Sequence, residues 1–123
     1  MREIRFRGKR VDNGGWVYGN VIFKTSDAYS KRIDCGIQSD HCYPQEVDKE
    51  TVGQFTGLTD KNGVEIYESD KVIIRSEDEE IGVVKWDETE LMYVVEFDTY
   101  TLELGNFYGK EIEIVGNIHE VSE

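Results

Sequence analysis

Hydrophobic and polar residues alternate at the start of the chain, as in a strand with one buried face. Ile4 and Phe6 alternate with charged residues that would face the other way, namely Glu3, Arg5, Arg7 and Lys9. The run Val11–Gly15 then supplies residues that tolerate positive φ, which predicts a hairpin turn. Residues 16–23 predict the returning strand, and Gly19 within it indicates a bulge or a close backbone approach.

The rest of the chain repeats short apolar stretches between turn residues. Residues 24–41 have no firm periodicity, and only Ile33–Ile37 predicts a strand there. Asp48 is a candidate cap for a turn or a single helical turn, and Asn62-Gly63 favours a type I′ hairpin turn. Gly82 is a candidate bulge. Further strands are predicted near residues 52–59, 64–67, 71–75, 81–86, 91–97, 99–104 and 112–118.

Short strands at regular spacing predict a mainly β protein, and no window shows an apolar helix face over three turns. We expect an N-terminal β subdomain over residues 1–56 and a small SH3-like β-barrel subdomain over residues 57–123. Spacing alone does not separate this barrel from an OB-like one. A chain of 123 residues can bury a core without disulfides or metal.

Charge is divided unevenly along the chain, whose net charge is −12. Residues 1–56 hold nine basic and eight acidic side chains, a net of +1, whereas residues 57–123 hold five and eighteen, a net of −13. Such acidity disfavours direct binding to nucleic acid or to an anionic membrane. We therefore expect the basic first strand to attract acidic surface, in the same chain or in a neighbouring subunit.

The chain has no apolar run near the roughly 18 residues that span a bilayer, and its first residues lack the apolar region of a signal peptide. We expect a cytoplasmic protein whose two cysteines, Cys35 and Cys42, are reduced.

Several residues invite a metal or catalytic interpretation. A zinc site could draw on Cys35, His41, Cys42 and His119, but six residues separate the two cysteines, and neighbours in a strand face opposite ways. A nucleophile pair of Cys42 and His119 lacks any surrounding signature. The acids Glu65, Glu68 and Asp70 lack the spacing of a calcium loop. The sequence therefore predicts no catalytic, cofactor-binding or metal residues.

Glycines and charged runs have similar alternatives. Gly53 and Gly57 flank Phe55. One interpretation is structural, since glycine allows a tight bend or a close approach of a neighbouring strand. The other is a phosphate-binding loop, which requires a helix N-terminus. The acidic runs over 76–80 and 87–90 are typical of solvated hairpin tips, whose charges keep edge strands from pairing with other proteins. Alternatively, their carboxylates imitate the phosphates of a nucleic acid. The basic residues of the first strand indicate a wet or ion-paired face, or a nucleic-acid surface; they are Arg5, Arg7, Lys9 and Arg10.

Four stretches of the chain resemble the YopX family of bacteriophage and prophage proteins. They are MREIRFRG, VDKETVGQFTGLTDKNGVEIYESDKV, GVVKWDE and IEIVGNIHE, in this order. Ser69 departs from the resemblance, which leads us to expect glycine there. The resemblance implies a mainly β, phage-encoded accessory protein in the host cytoplasm, and it implies no reaction and no catalytic residues.

Together these features predict a non-enzymatic protein–protein interaction module that self-associates, with a host or phage protein as a further candidate partner. One alternative is an acidic nucleic-acid mimic that sequesters a host nucleic-acid-binding protein. Another is a small enzyme with an unrecognised carboxylate site. We expect no cofactor, no direct contact with nucleic acid and no contact with membrane.

Overall fold

A computed structural model describes residues 4–27, 29–40, 42–74, 80–106 and 111–119. These residues form antiparallel β-sheets and two short 3-10 turns, which confirms the predicted mainly β fold. No helix within the described ranges has the length and apolar character that crossing a bilayer requires. The chain divides into two compact units, unit 1 (Met1–Phe55) and unit 2 (Thr56–Glu123).

Unit 1 is built on an antiparallel sheet. Its strands are β1 (Phe6–Lys9), β2 (Trp16–Ser26), β3 (Arg32–Gln38), β4 (Gln45–Glu46) and β5 (Gly53–Thr59), which continues into unit 2. They lie in the order β4-β3-β2-β1-β5. The predicted first hairpin is confirmed, with Arg10 N–H donating to Gly15 O at 2.9 Å and Gly14 at φ +71°.

A small 3-10 turn connects β4 to β5, and the residues that lead into it lie against the end of β1. Val47 forms an isolated bridge with Arg10, and Asp48 N–H donates to Lys9 O at 2.8 Å. Asp48 also caps the 3-10 turn Lys49–Thr51, because its side chain accepts from Glu50 N–H, as the sequence predicted. A Cβ on Gly8 would lie 3.0 Å from Val47, so glycine lets that side chain pack directly on β1.

The core of unit 1 lies on one face of its sheet. Cys35, Ile37 and Val47 are buried, and the partly buried apolar side chains that pack against them are Phe6, Val17, Val21 and Val52. Phe6 thus faces inward, as the alternation of the first strand predicted, whereas Ile4, which the same pattern placed on the buried face, is 66% exposed.

Unit 2 contains a five-stranded antiparallel sheet. Its strands are β7 (Asp70–Ile74), β8 (Gly82–Asp87), β9 (Met92–Glu96), β10 (Thr101–Glu103) and β11 (Ile112–Asn117), in the order β10-β9-β8-β7-β11. The short strand β6 (Glu65–Tyr67) follows β5 instead. Over the described ranges no pairing joins β10 to β11, so a closed barrel is not found and the SH3-like detail stays a prediction.

Apolar side chains from these strands make a second core. The buried members are Ile66, Val72, Ile74, Val84, Val95, Phe97, Leu104 and Ile112. Gly82 belongs to this packing rather than to the predicted bulge, because a Cβ there would overlap Val95 and its pairing with Val72 is regular. The register does shift in β11, between Ile114 and Gly116.

The turn between β5 and β6 is present, but its predicted type I′ geometry is wrong. Type I′ needs positive φ at both central residues, and Gly63 has φ +78° whereas Asn62 is not in that region. Asp60 explains the difference: its Oδ1 accepts from Asn62 N–H and Val64 N–H, both at 2.9 Å, and thereby holds Asn62 in the turn without left-handed backbone.

Candidate functional site

The basic side chains of β1 rest on aromatic rings of unit 1. The guanidinium carbon of Arg7 lies 4.3 Å from the centre of the Trp16 ring, Lys9 Nζ lies 5.4 Å from the same ring, and Arg5 lies 5.4 Å from the Phe55 ring. Arg7 is only 7% exposed. Because β1 pairs with β2 in the register that sets Lys9 opposite Trp16, the ring is within reach of cations on the same face.

These ring contacts add to the wet or ion-paired face that alternation predicted for β1. Stacking on a ring keeps a cation attached to its own chain, so Arg7 presents little charge to a partner. Arg10, at the end of β1, is held by Asp12 through two hydrogen bonds of 2.9 and 2.6 Å. The Arg10 guanidinium also lowers the pKa of the Asp12 carboxyl.

The glycines of the central block belong to a strand. Gly53 and Gly57 both lie in β5, and Gly57 has φ +91° with open space where a Cβ would be. In the described part of the chain, the helical residues that follow Gly57 are the 3-10 residues Leu104–Asn106 and Glu111. A phosphate cradle at Gly57 would therefore lack its helix N-terminus, and the glycine serves the backbone bend.

Two buried acids in unit 2 hold turns. Asp60 accepts from Ile114 N–H at 3.1 Å through Oδ2, in addition to its two bonds within the turn. Asp70 accepts from Tyr67 N–H at 2.8 Å through Oδ2 and from Asn117 Nδ2 at 3.3 Å through Oδ1. Each carboxylate thus uses both oxygens to join distant parts of unit 2.

The predicted metal candidates are not brought together as a ligand set. Glu65 lies in β6 and is half-buried, and so is Glu68 in the turn that follows, while Asp70 is engaged as described above. Within the described ranges, no group of three or more His, Cys, Asp or Glu side chains is placed to hold a metal ion.

The cysteines occupy contrasting environments in unit 1, and both are free thiols. Cys35 is buried in the core, and burial raises the pKa of its thiol, whereas Cys42 is exposed. His41 lies outside the described residues, and His119 lies in unit 2 with its N–H bonded to Asn117 Oδ1 at 2.8 Å. A raised thiol pKa disfavours the thiolate that zinc binding or nucleophilic attack requires.

Two of the clefts in unit 1 differ in how their basic residues are engaged. The first, of about 210 Å³, contains the Arg10–Asp12 and Lys31–Glu46 ion pairs. The second, of about 440 Å³, is lined by Lys24, Thr25, Ser26, Arg32, Ile33 and Asp34. We call this second one the basic cleft. No ion pair within the described residues engages Lys24 or Arg32.

The turn between β8 and β9 presents the acidic run over residues 87–90 on unit 2. Asp87 Oδ1 accepts from Thr89 N–H at 2.9 Å and from Glu90 N–H at 3.2 Å, which orders the turn. Glu88 and Glu90 are exposed, and the described residues form no ion pair with either. The other acidic run, over 76–80, lies outside the described residues except for Glu80.

Apolar side chains accompany the carboxylates at this turn, which we call the acidic turn. Leu91 is 71% exposed and has φ +56°. Trp86 is partly exposed and meets Tyr93 edge-on, with ring centres 4.9 Å apart. The sequence analysis identified the acids here but not the exposed Trp86 and Leu91. In the sequence, both residues look like the apolar positions of an ordinary strand.

Comparisons with known proteins agree with this fold. The YopX protein family model matches residues 5–123. A crystal structure of protein EF1440 from Enterococcus faecalis is similar, with a TM-score of 0.57 and 21% sequence identity over 97% of this chain and 95% of that chain. A search of curated proteins found no match. Since the family model spans nearly the whole chain, the resemblance noted in the sequence is confirmed: the chain belongs to the YopX family.

Proposed function

We propose that this protein is a non-enzymatic phage accessory protein that works by protein–protein contact in the host cytoplasm, and that it self-associates. The observation that carries the proposal is the division of charge, +1 over residues 1–56 against −13 over residues 57–123. Two parts of one chain with unlike charge allow identical copies to attract each other through different surfaces.

Charged side chains that form no ion pair within the described ranges support this proposal. In unit 1, Arg10 and Lys31 pair with acids, while Lys24 and Arg32 have no ion-pair partner among the described residues. Exposed charges that are free of such pairs cost little to bring to a partner, because no existing bond must break first.

The buried acids support a role without catalysis. A catalytic carboxylate must face a concave site and reach a reacting atom. Asp60 and Asp70 instead use both oxygens on donors that fix turns. The hydrogen bonds of these two carboxylates therefore serve to stabilise the fold.

Light scattering on the purified chain at about 10–200 µM tests self-association, in about 50 mM and about 500 mM NaCl, because screening shortens the reach of exposed charges about threefold between these conditions. We expect species larger than a monomer at low salt and a smaller mean mass at high salt. A monomer at every concentration in both salts would refute self-association. A monomer that captures a host nucleic-acid-binding protein from lysate would favour the nucleic-acid mimic.

A further inference from the structure

We infer that the acidic turn of one copy docks into the basic cleft of a second copy, and this inference rests on the proposed self-association. The basic cleft is the surface on unit 1 lined by Lys24–Ser26 and Arg32–Asp34. The acidic turn is the β8–β9 connection on unit 2 with its flanking residues, Trp86–Leu91. The contact joins unlike surfaces, so each copy offers one surface to each of two neighbours.

The basic cleft has the chemistry to receive carboxylates. Lys24 and Arg32 supply two cations outside any ion pair among the described residues, and Thr25 and Ser26 supply hydroxyl donors. Asp34, the one acid in the lining, leaves the cleft with a net positive charge. Phe23, the residue before Lys24 in β2, lies outside the cleft lining and is 58% exposed.

Backbone strain marks both surfaces. Lys24 has φ +53° in the middle of β2, and Leu91 has φ +56° at the acidic turn. Residues with side chains pay about 1–2 kcal/mol in this left-handed region, where glycine or asparagine is usual. Neither side chain recovers this free energy by burial within the chain, since both are exposed. Strain of this kind clusters at ligand-binding and switch sites, where the surrounding structure holds it in place.

The acidic turn complements the basic cleft in charge and also presents apolar surface. Glu88 and Glu90 extend from a turn that Asp87 already orders, so binding loses little further backbone freedom. Leu91 is 71% exposed and presents apolar surface at the turn, and Phe23 is also exposed in β2. An aromatic pair at the base of the turn, Trp86 with Tyr93, matches the composition of interface anchors.

Charge complementarity within the sequence selects a second copy as the occupant. A contact between one cleft and one turn is smaller than the interface of a permanent complex, so we expect micromolar affinity and strong dependence on salt. Free phosphate or nucleic acid could also fill a basic cleft, and both are outcomes of the test below.

Charge reversal on each surface tests the contact by sedimentation or light scattering at about 50 mM NaCl. K24E/R32E and E88K/E90K should each raise the dissociation constant of self-association by about tenfold or more, because like charges then face each other. An equal mixture of these two variants should associate again, because the intact turn of the first fits the intact cleft of the second. The quadruple variant K24E/R32E/E88K/E90K should also associate, since both charges are exchanged.

Matched variants separate this contact from a general effect of net charge. K49E changes an exposed basic residue of unit 1 outside the cleft, and D98K/E103K changes two exposed acids of unit 2 outside the turn. We expect these to leave the dissociation constant within about twofold. Circular dichroism checks that every variant keeps the β signal of the parent chain.

Each outcome has a distinct meaning. If the parent chain associates and K24E/R32E or E88K/E90K associates equally well, the inferred contact is wrong while the proposed function stands. If the parent chain is a monomer throughout, the proposed function fails first and the inference with it. If inorganic phosphate or an oligonucleotide at about the chain concentration binds Lys24 and Arg32 by NMR and copies do not compete, the cleft belongs to that ligand instead.

Discussion

Among the described residues, four with side chains adopt left-handed backbone, and one of them is where the family resemblance leads us to expect glycine. Ser69 has φ +74° in the turn before β7, alongside Lys24, Ser30 and Leu91 elsewhere. Its backbone is fixed from both sides, because Ser69 N–H donates to Val84 O at 2.8 Å and Ser69 O accepts from Ile118 N–H at 3.1 Å. The turn thus keeps the backbone conformation expected for glycine, and Ser69 adopts this conformation at a cost in backbone strain.

Ser69→Gly should therefore stabilise the protein. Relief of left-handed strain outweighs the extra freedom of glycine in the unfolded chain, and we expect the free energy of unfolding to rise by about 0.5–1 kcal/mol. Urea unfolding followed by circular dichroism measures the change. Ser69→Ala is the matched control, because it keeps a Cβ at the same φ and should bring no gain. Equal stability of the glycine and alanine variants would contradict the role of strain.

Asp60 shows how one side chain can join two parts of unit 2. It is 4% exposed, and its two oxygens accept from three backbone N–H groups, those of Asn62, Val64 and Ile114. Asp60→Asn retains one oxygen for the turn but sets an amide donor against the N–H of Ile114. We expect the free energy of unfolding to fall by about 2 kcal/mol, the typical penalty of a buried donor without an acceptor. Asp98→Asn, at an exposed position, should change it by less than about 0.5 kcal/mol in the same urea titration.

At the scale of elements, the strands were largely predictable because apolar alternation and turn residues both mark them. β7, β8, β9 and β11 begin and end within two residues of the predicted limits. β2 runs on to Ser26 and β3 covers Arg32–Gln38, although residues 24–41 showed no firm periodicity. Pairing explains this, since Phe23 faces Cys35 and Thr25 faces Ile33 across the two strands, and these pairs include three apolar residues.

Another strand passes close to the backbone of Gly19. The sequence indicated this close approach but did not identify the neighbouring strand. A Cβ at this position would overlap the carbonyl oxygen of Gln38, and its φ is +154°. The oxygen belongs to the backbone of β3, so it cannot move aside without breaking the β2–β3 pairing.

Gly19→Ala should lower the free energy of unfolding by more than about 2 kcal/mol, because strain and steric overlap add. Gly14→Ala provides the control: φ is +71° there, yet no atom lies near the position of a Cβ, so strain alone should cost about 1 kcal/mol. Thermal unfolding of both variants measures the difference. Equal losses would show that overlap with Gln38 contributes nothing.

At the scale of the whole molecule, the sequence predicted charge but not the surfaces that carry it. The first strand holds the densest basic run, and the structure stacks three of its cations on Trp16 and Phe55. The basic cleft instead contains Lys24 and Arg32, which are eight residues apart on the two strands of a hairpin. The pattern of apolar and polar residues did not reveal the register of this hairpin. Sites formed by cross-strand neighbours depend on register, which a polar stretch specifies weakly.

The charge of residues 57–123 also bears on stability, because eighteen acids and five bases repel each other on balance. At about 2 µM chain, where weak association is negligible, we expect the free energy of unfolding to rise between about 20 and 300 mM NaCl as screening reduces this repulsion. Exposed ion pairs such as Lys61–Glu113 and Lys85–Glu96 weaken in salt, yet such pairs contribute little.

The variant E88K/E90K separates repulsion from other effects of salt. It changes the net charge of this stretch by +4, from −13 to −9, and leaves both cores intact. Its unfolding free energy should therefore rise less steeply with NaCl than that of the parent chain, measured in parallel urea titrations. A parent chain that loses stability as salt rises would mean that attraction between charges dominates the folded state. In that case the carboxylates of unit 2 already have partners within the chain, which would remove the electrostatic argument for a second copy.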